Sequence, residues 1–330
     1  MDTADATHAG DWSAYWAEGH AHSCPTTFAE YYGPNTRAFW SASLRHISAD
    51  ECWLELACGG GGLLEFVAQQ VPDERMPKVV GVDLASVEAT VTRRLATVSA
   101  QAQARIRVFE RTSATSVPLP DGSVTRLASQ FGFEYVEEEP LRAECQRLLA
   151  PNSAVALIMH KTGSRLYEQA VAERAIAAAA LDPEGLLASS RAAIPVAAAA
   201  RAKALDGPAL ANAARVRERY NAAVRVLLAM GEAVGALDYA EELLSDCGAL
   251  VSGQRALTVP NMLGRLSGLE AATRAQVERL KALERAAMDA NKLGRVQAWL
   301  GAIGFRSIEV TTLFEAGHEM GWALRSTRIK

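Results

Sequence analysis

Short apolar runs alternate with longer amphipathic stretches between residues 51 and 161. Runs of roughly four to eight apolar residues bounded by turn residues are typical of buried strands, whereas apolar residues three and four positions apart are typical of helices. The pattern predicts strands at 52–58, 77–84, 105–110, 124–131 and 153–159. It predicts helices at 63–70, 86–103 and 138–149. Strands that alternate with helices favour a parallel sheet with right-handed crossovers.

The segments on either side of this region have different patterns. Residues 1 to 50 are rich in tryptophan and tyrosine, which predicts an N-terminal helical segment that folds down onto the core. Residues 163–298 are rich in alanine and contain no Phe or Trp, so we expect an all-helical insertion. Residues 305–312 and 319–325 predict an antiparallel hairpin that completes the core, which then comprises 51–162 and 299–330.

Composition narrows the class of protein. The chain has 330 residues, 49% of them hydrophobic and 22% charged, which is typical of a globular protein. Its net charge of −4 argues against a general nucleic-acid binder. The sequence shows neither an apolar run long enough to span a membrane nor a basic, apolar leader, so we expect a cytoplasmic protein. Five scattered cysteines argue against a disulfide framework and a structural zinc site.

The first predicted strand runs into four glycines, Gly59 to Gly62. Such a loop lets a ligand approach backbone N–H groups at the start of the next helix. A dinucleotide fingerprint requires a third glycine at position 64, which is Leu64, and lacks an acidic residue at the position of Glu55. Glu55 followed by Gly59 and Gly61 instead resembles the first motif of class I S-adenosylmethionine-dependent methyltransferases.

Later segments extend this resemblance. Asp83 ends a strand similar to the family's second strand, whose terminal carboxylate binds the ribose hydroxyls. Residues 118–123 resemble the loop before the family's fourth strand, and 129–135 resemble the site that follows it. The resemblance implies an α/β fold, a Rossmann-like seven-stranded mostly parallel sheet with a terminal antiparallel hairpin. It also implies S-adenosyl-L-methionine as the cofactor, S-adenosyl-L-homocysteine as its product, and no metal.

The resemblance also implies which residues bind the cofactor. They lie in the N-terminal segment, the glycine loop, the end of the second strand and the segments around the fourth: Tyr15, Trp16, Glu55, Ala57, Cys58, Gly59, Gly61, Asp83, Leu84, Ser113, Ala114, Gln130 and Phe131. Ser113 departs from the family, because many members have an acidic residue there that contacts the adenine. Glu55 either contacts the cofactor or braces the loop, and Asp83 has a surface carboxylate as its alternative role.

Catalytic candidates follow the fourth and fifth strands, at the edge where open α/β sheets bind ligands. His160 is the best candidate for a general base, and its alternative roles are a hydrogen-bonded turn histidine or a donor that positions the substrate. Glu134 is the second catalytic candidate, or else a solvated carboxylate that begins the next helix. Tyr135, Lys161 and His20 are candidate substrate contacts.

Two further patterns have more than one interpretation. His20 and His22 have the spacing of a metal pair, but no third ligand is evident and no metal site is expected. Residues 191–225 are basic and 232–246 are acidic, which two oppositely charged neighbouring helices explain. A bound carboxylate, phosphate or RNA backbone is the alternative explanation of the basic stretch.

The sequence therefore predicts a methyltransferase that acts on a small-molecule acceptor, with O-methylation of a specialised metabolite favoured. The helical insertion is expected to form a lid, and a homodimer through it is a further hypothesis. One alternative is an RNA or protein/peptide methyltransferase that uses the basic helix 191–225. Another is a non-catalytic protein that binds S-adenosylmethionine. Nucleic-acid and membrane partners are not expected.

Overall fold

A computed structural model describes residues 10, 12–20, 33–253 and 257–328 of the chain. The chain forms two compact units, a core unit (Met1–Tyr167 and Arg285–Lys330) and a helical unit (Glu168–Glu284). The helical unit is shorter than the predicted insertion, 163–298. The difference arises because a helix at Ala290–Ala302 buries its apolar side chains among those of the core unit.

One sheet of seven strands organises the core unit, in the order β3-β2-β1-β4-β5-β7-β6. The strands are β1 (Cys52–Leu56), β2 (Lys78–Val82), β3 (Ile106–Phe109), β4 (Val124–Gln130), β5 (Leu149–Met159), β6 (Phe305–Glu315) and β7 (His318–Arg328). Strands β1 to β5 are parallel, and β7 pairs antiparallel with both β5 and β6. The predicted Rossmann-like α/β fold with a terminal antiparallel hairpin is confirmed.

Helices follow the strands and fill the helical unit. They are α1 (Pro34–Ser43), α2 (Gly62–Gln70), α3 (Glu88–Leu95), α4 (Ala100–Arg105), α5 (Glu138–Leu148), α6 (Arg165–Leu181), α7 (Leu186–Arg201), α8 (Gly207–Val234), α9 (Leu237–Ser252), α10 (Val259–Ala286) and α11 (Ala290–Ala302). Residues 12–17 are also helical. The predicted helix at 86–103 is instead two helices. A second helix begins there because the Ser99 hydroxyl accepts a hydrogen bond from the Ala102 N–H at 3.0 Å and caps α4.

The central strands are buried on both faces of the sheet. All five residues of β1 are buried, as expected for a parallel strand covered by helices on both sides. Successive side chains of a strand point to opposite faces. Trp53 accordingly packs with Trp40 in one apolar cluster, and Leu54 packs with Trp299 in the other. Because the strands themselves are buried, the polar groups of this region lie mainly in the loops that follow the strands, at the carboxyl edge of the sheet.

The helical unit has its own apolar core, which includes Ile176, Leu227, Cys247 and Leu266. Its basic stretch, 191–225, is divided between α7 and α8, so the prediction of a single basic helix is wrong. Arg191 pairs with Glu270 of α10 at 3.0 Å, outside the acidic stretch that was expected to face it. In the described part of the chain, no helix is both long enough and apolar enough to cross a membrane.

Candidate active site

The loop between β1 and α2 has the backbone conformation that its glycines permit. Gly59 has a φ of +51° and Gly61, which caps α2, has a φ of +77°. Both values lie in the left-handed region that favours glycine. A Cβ atom on Gly59 would lie 2.5 Å from the indole of Trp16. The loop thus presents its backbone directly to whatever covers it, at the N-terminus of a helix.

Two neighbouring positions show how tightly the loop packs against the end of β4. Ala57 has a φ of +53°, and a Cβ atom on Gly132 would lie only 2.4 Å from the Cβ atom of Ala57. Phe131 also has a positive φ, +54°, and its N–H donates to the carbonyl oxygen of Ile158 at 2.7 Å. A bulky residue in this region costs on the order of 1–3 kcal/mol, and such strain is common at ligand sites.

Asp83 follows β2 and is 9% exposed. Its Oδ2 accepts a hydrogen bond from the Gly59 N–H and its Oδ1 accepts one from the Ala85 N–H, each at 2.8 Å. Burial raises the pKa of this carboxyl to about 6, although both backbone hydrogen bonds act to lower it. Each carboxylate oxygen has a second lone pair, so Asp83 can accept further hydrogen bonds from a ligand.

Glu55 and Cys58 lie close to Asp83 and are almost fully buried. Burial, followed by the nearby negative charge of Asp83, raises the pKa of Glu55 well above its ordinary value. Burial likewise raises the pKa of the Cys58 thiol. The Glu55 Oε2 atom is buried and has no hydrogen-bond partner within the described residues. Both roles of Glu55 stay predictions.

The N-terminal helical segment lies against the glycine loop and α3. The Trp16 carbonyl accepts a hydrogen bond from the Thr90 hydroxyl at 3.0 Å, and the Ser13 hydroxyl accepts one from the Ser86 N–H at 2.9 Å. Tyr15 and Trp16 are 6% and 9% exposed. The indole of Trp16 lies against Gly59 and Gly60 of the loop, and the Tyr15 ring packs on that of Trp16 with a centroid distance of 5.0 Å. Of the predicted N-terminal segment, 1–50, residues 1–9, 11 and 21–32 lie outside the described residues.

His20 ends this segment. Its ring stacks on that of Tyr15 with a centroid distance of 4.3 Å, and its Nε2 atom lies 2.9 Å from a carboxylate oxygen of Glu18. His22, the other member of the predicted metal pair, lies outside the described residues. In the residues that are described, no group of three or more His, Cys, Asp or Glu side chains could hold a metal ion.

The loops after β4 and β5 bring Glu134 and His160 together. One oxygen of Glu134, Oε1, accepts hydrogen bonds from both the backbone N–H and the Nδ1–H of His160, each at 2.7 Å. Both side chains are fully buried. The interpretation of Glu134 as a solvated carboxylate is therefore wrong. Because Nδ1 donates to the carboxylate, the proton is assigned to Nδ1 and a lone pair to Nε2.

Aromatic rings surround the imidazole of His160. The ring of Phe131 lies 4.5 Å from it between centroids, tilted by 39°, and the ring of Tyr135 lies 5.7 Å away, edge-on. Trp12, which the sequence did not single out, contacts Tyr135 at 6.2 Å. Only its place in an aromatic N-terminal segment could have indicated this contact. The imidazole of His160 therefore lies among aromatic rings, and its Nε2 atom carries the lone pair.

The remaining predicted site residues contact different parts of the core unit. Lys161 pairs with Glu319, and its ammonium lies 5.2 Å from the centre of the Trp322 ring. The carbonyl oxygen of the Gln130 side chain accepts a hydrogen bond from the Trp40 indole N–H. Ser113 shares a hydrogen bond of 2.8 Å with Thr115. Leu84, which follows Asp83, and Ala114, which follows Ser113, are partly buried.

No motif or spacing in the sequence pointed to Arg94, which belongs to α3. Its Nε–H donates to the carbonyl oxygen of Gly60 at 2.8 Å, and its Nη2 group donates to that of His20 at 3.2 Å. Arg94 therefore connects the glycine loop with the N-terminal segment.

The strand order, the glycine loop after β1 and the acidic residue after β2 define the class I S-adenosylmethionine-dependent methyltransferase fold. Residues 54–157 match the model of a family described as methyltransferase domain. Residues 54–157 of the core unit are therefore similar to a methyltransferase domain. The matched range ends before the helical unit, so this similarity concerns the core alone.

Solved structures with similar folds include three methyltransferases. A geranyl diphosphate methyltransferase in complex with geranyl diphosphate and sinefungin is 20% identical, with 38% of this chain and 43% of that chain covered, and a TM-score of 0.33. The geranyl diphosphate C-methyltransferase of Streptomyces coelicolor A3(2) is 16% identical, with 46% and 64% covered and a TM-score of 0.37. A methyltransferase of Aquifex aeolicus is 19% identical, with 43% and 75% covered and a TM-score of 0.34.

The chain thus spans 43% and 64% of the first two of these neighbours. No curated protein matches the sequence.

Proposed function

We propose that the protein transfers a methyl group from S-adenosylmethionine to a hydroxyl oxygen of a small-molecule acceptor, with His160 as the base. The observation that carries this proposal is the buried pair of His160 and Glu134 at the carboxyl edge of the sheet. A base within hydrogen-bond reach of a hydroxyl assists its attack, whereas a carboxylate acceptor needs no base. The lone pair on Nε2 is suited to accept the hydroxyl proton, and the carboxylate of Glu134 stabilises the imidazolium that results.

The glycine loop and its neighbours fit the cofactor, which supplies the methyl group as an activated sulfonium. Gly59 and Gly61 allow close approach to the backbone, and Asp83 has lone pairs available for the ribose hydroxyls. Trp16 lies against Gly59 and Gly60, and Tyr15 packs on Trp16. The remaining positions proposed to line the cofactor site are Glu55, Ala57, Cys58, Leu84, Ser113, Ala114, Gln130 and Phe131. Such a site mainly has to hold the acceptor oxygen in line with the methyl carbon and exclude water.

The cofactor assignment is tested by calorimetric titration with S-adenosylmethionine, S-adenosylhomocysteine and NADH. We expect the first two to bind and NADH not to bind. Asp83→Ala should abolish binding, because the ribose loses its carboxylate partner. Asp121→Ala is the matched control, since this aspartate is 80% exposed and pairs with Arg147 at the surface. Binding of NADH, or unchanged affinity in the Asp83 variant, would refute the assignment.

The catalytic assignment needs a second experiment. Formation of S-adenosylhomocysteine is measured with a panel of hydroxylated small molecules. His160→Ala should keep its cofactor affinity and lose about 100- to 10,000-fold in turnover. His318→Ala, at an exposed position, is the control. Full activity of the His160 variant would rule out the base role.

The same assay separates the alternative functions. Turnover that depends on RNA and falls steeply with salt would favour a nucleic-acid substrate. Tight cofactor binding without conversion by any acceptor would favour a non-catalytic binding protein. The lid and the homodimer through the helical unit stay predictions, and analytical ultracentrifugation of the whole chain tests the dimer.

A further inference from the structure

Within the described residues, the pair of His160 and Glu134 leaves two buried atoms without a hydrogen-bond partner. These are the Nε2 atom of His160 and the Oε2 atom of Glu134, neither of which has a hydrogen-bond partner among the residues that the structure describes. The Nε2 atom carries a lone pair, because Nδ1–H donates to Glu134. An ionised carboxylate oxygen can only accept. Both atoms therefore require a hydrogen-bond donor.

This requirement restricts the nucleophilic group of the acceptor. A carboxylate acceptor has no proton to donate and would bring a second negative charge next to Glu134, which is fully buried. An ammonium group would satisfy the carboxylate, but its nitrogen has no lone pair until it loses a proton. A neutral hydroxyl donates to Nε2 and keeps lone pairs on the oxygen that is to be methylated.

The acidity of the hydroxyl decides between an alcohol and a phenol. An imidazole has an ordinary pKa of about 6.5 and a phenol one of about 10, whereas the pKa of an alkyl alcohol is far higher, close to that of water. Proton transfer to imidazole is therefore unfavourable by roughly three to four powers of ten for a phenol. For an alcohol the same proton transfer is unfavourable by several more powers of ten. A histidine base is thus matched to an acidic hydroxyl.

The aromatic environment agrees with this choice. Phe131 and Tyr135 approach the imidazole from two directions, at 4.5 and 5.7 Å between ring centroids. Planar rings favour offset or edge-to-face contact with other aromatic groups at about 4.5–7 Å. The strained backbone of Phe131, with a φ of +54°, is retained next to this base. An aryl or conjugated ring that bears the hydroxyl would extend the same packing.

We infer that the acceptor is an aryl or enol hydroxyl compound whose O–H donates to Nε2 of His160 while Glu134 holds the imidazole from its other side. The acceptor oxygen forms a bond to the methyl carbon as its proton passes to Nε2. The carbon–sulfur bond breaks, its electron pair returns to sulfur, and the products are the methyl ether and the neutral thioether. The imidazolium then releases its proton to solvent. This inference rests on the proposed function and specifies its substrate class.

The test uses 4-nitrophenol, whose ionisation is visible in its absorption spectrum, with the full chain saturated by S-adenosylhomocysteine. We expect binding to increase the nitrophenolate fraction below the free probe's pKa, because the bound proton moves to His160. His160→Gln should abolish this increase and His318→Gln should leave it unchanged. Glu134→Gln should reduce it on the order of tenfold, because a neutral amide stabilises the imidazolium less than a carboxylate does. Tryptophan fluorescence confirms that each variant is folded.

Initial rates complete the test, with 4-nitrophenol, cyclohexanol, benzoate and benzylamine as acceptors. The phenol should be methylated faster than the other three by at least about 100-fold. Faster methylation of benzoate or benzylamine overturns the inference, as does a nitrophenol spectrum that is unchanged by the wild-type protein or independent of His160. A chain that binds the cofactor but fails in these assays refutes the substrate class alone. A chain that does not bind the cofactor refutes the proposed function.

Discussion

Replacing Gly132 with alanine tests how closely the end of β4 packs on the glycine loop. Gly132 has a φ of −141°, which any residue can adopt, so the penalty arises from contact alone. The added Cβ atom would lie 2.4 Å from the Cβ atom of Ala57 and 3.2 Å from the Ser129 hydroxyl oxygen. Carbon atoms pack best at about 3.5–4.0 Å, so the two segments must separate by about 1 Å.

The structure indicates how large the loss of unfolding free energy should be and which second substitution should reverse it. Overpacking of this kind costs about 1–3 kcal/mol of unfolding free energy. Ala57→Gly removes the methyl group that the new Cβ atom meets. It also relieves a left-handed conformation, φ +53°, that costs an alanine roughly 1–2 kcal/mol. The double variant should therefore recover most of the loss, and the coupling free energy should be about 1–3 kcal/mol.

Urea unfolding followed by tryptophan fluorescence measures this coupling. The chain has six tryptophans, and each belongs to the core unit: Trp12, Trp16, Trp40, Trp53, Trp299 and Trp322. The signal therefore reports on the core unit separately from the helical unit, which avoids a two-state treatment of the whole chain. Calorimetry with S-adenosylhomocysteine should show weaker binding by Gly132→Ala and recovery in the double variant.

Gly301→Ala is the matched control, because Gly301 lies in α11 with nothing within 4 Å of the added Cβ atom. Its expected effect is a slight stabilisation, since alanine is a better helix former than glycine. An unfolding midpoint of Gly132→Ala equal to that of the wild type would contradict the close contact. Strictly additive effects of the two substitutions would show that Ala57 is not the residue it meets.

Two further predictions concern Asp83 and the anchoring of α1. Cofactor affinity should fall as the pH decreases through about 6, because burial raises the pKa of Asp83 to that value and the protonated carboxyl is a weaker hydrogen-bond acceptor. Calorimetry should show no such pH dependence for Asp83→Asn. Glu315→Ala should lower the unfolding free energy by about 1.5–3 kcal/mol, because the buried carboxylate accepts from the Thr36 N–H and hydroxyl at 2.6 and 2.8 Å. Glu309→Ala, which breaks an exposed ion pair with Arg325, should cost less than about 1 kcal/mol in the same urea experiment.

Local patterns in the sequence were sufficient to predict where the strands lie along the chain and the fold class of the core unit. Each buried strand is a local apolar run, and the glycines before α2 are required by a local backbone conformation. Such features depend on neighbouring residues, so pattern and spacing predict them. Helix boundaries were less predictable. Ser99 divides one expected helix because its side chain competes for a backbone N–H, and α11 joins the core through its buried Leu293 and Leu300.

The surroundings of the residues at the carboxyl edge depend on long-range contacts, which local sequence patterns do not reveal. Glu134 is followed closely by three more glutamates, 137–139. Nothing in the sequence distinguishes Glu134 from these solvated carboxylates. It is buried because β4 and β5 are adjacent and parallel, which brings the residues that follow them to the same edge. There the backbone N–H and the Nδ1–H of His160, 26 positions later in the sequence, donate to the Glu134 carboxylate and compensate for its desolvation. The contact of Trp16 with Gly59 is equally non-local, since it depends on where the N-terminal segment packs.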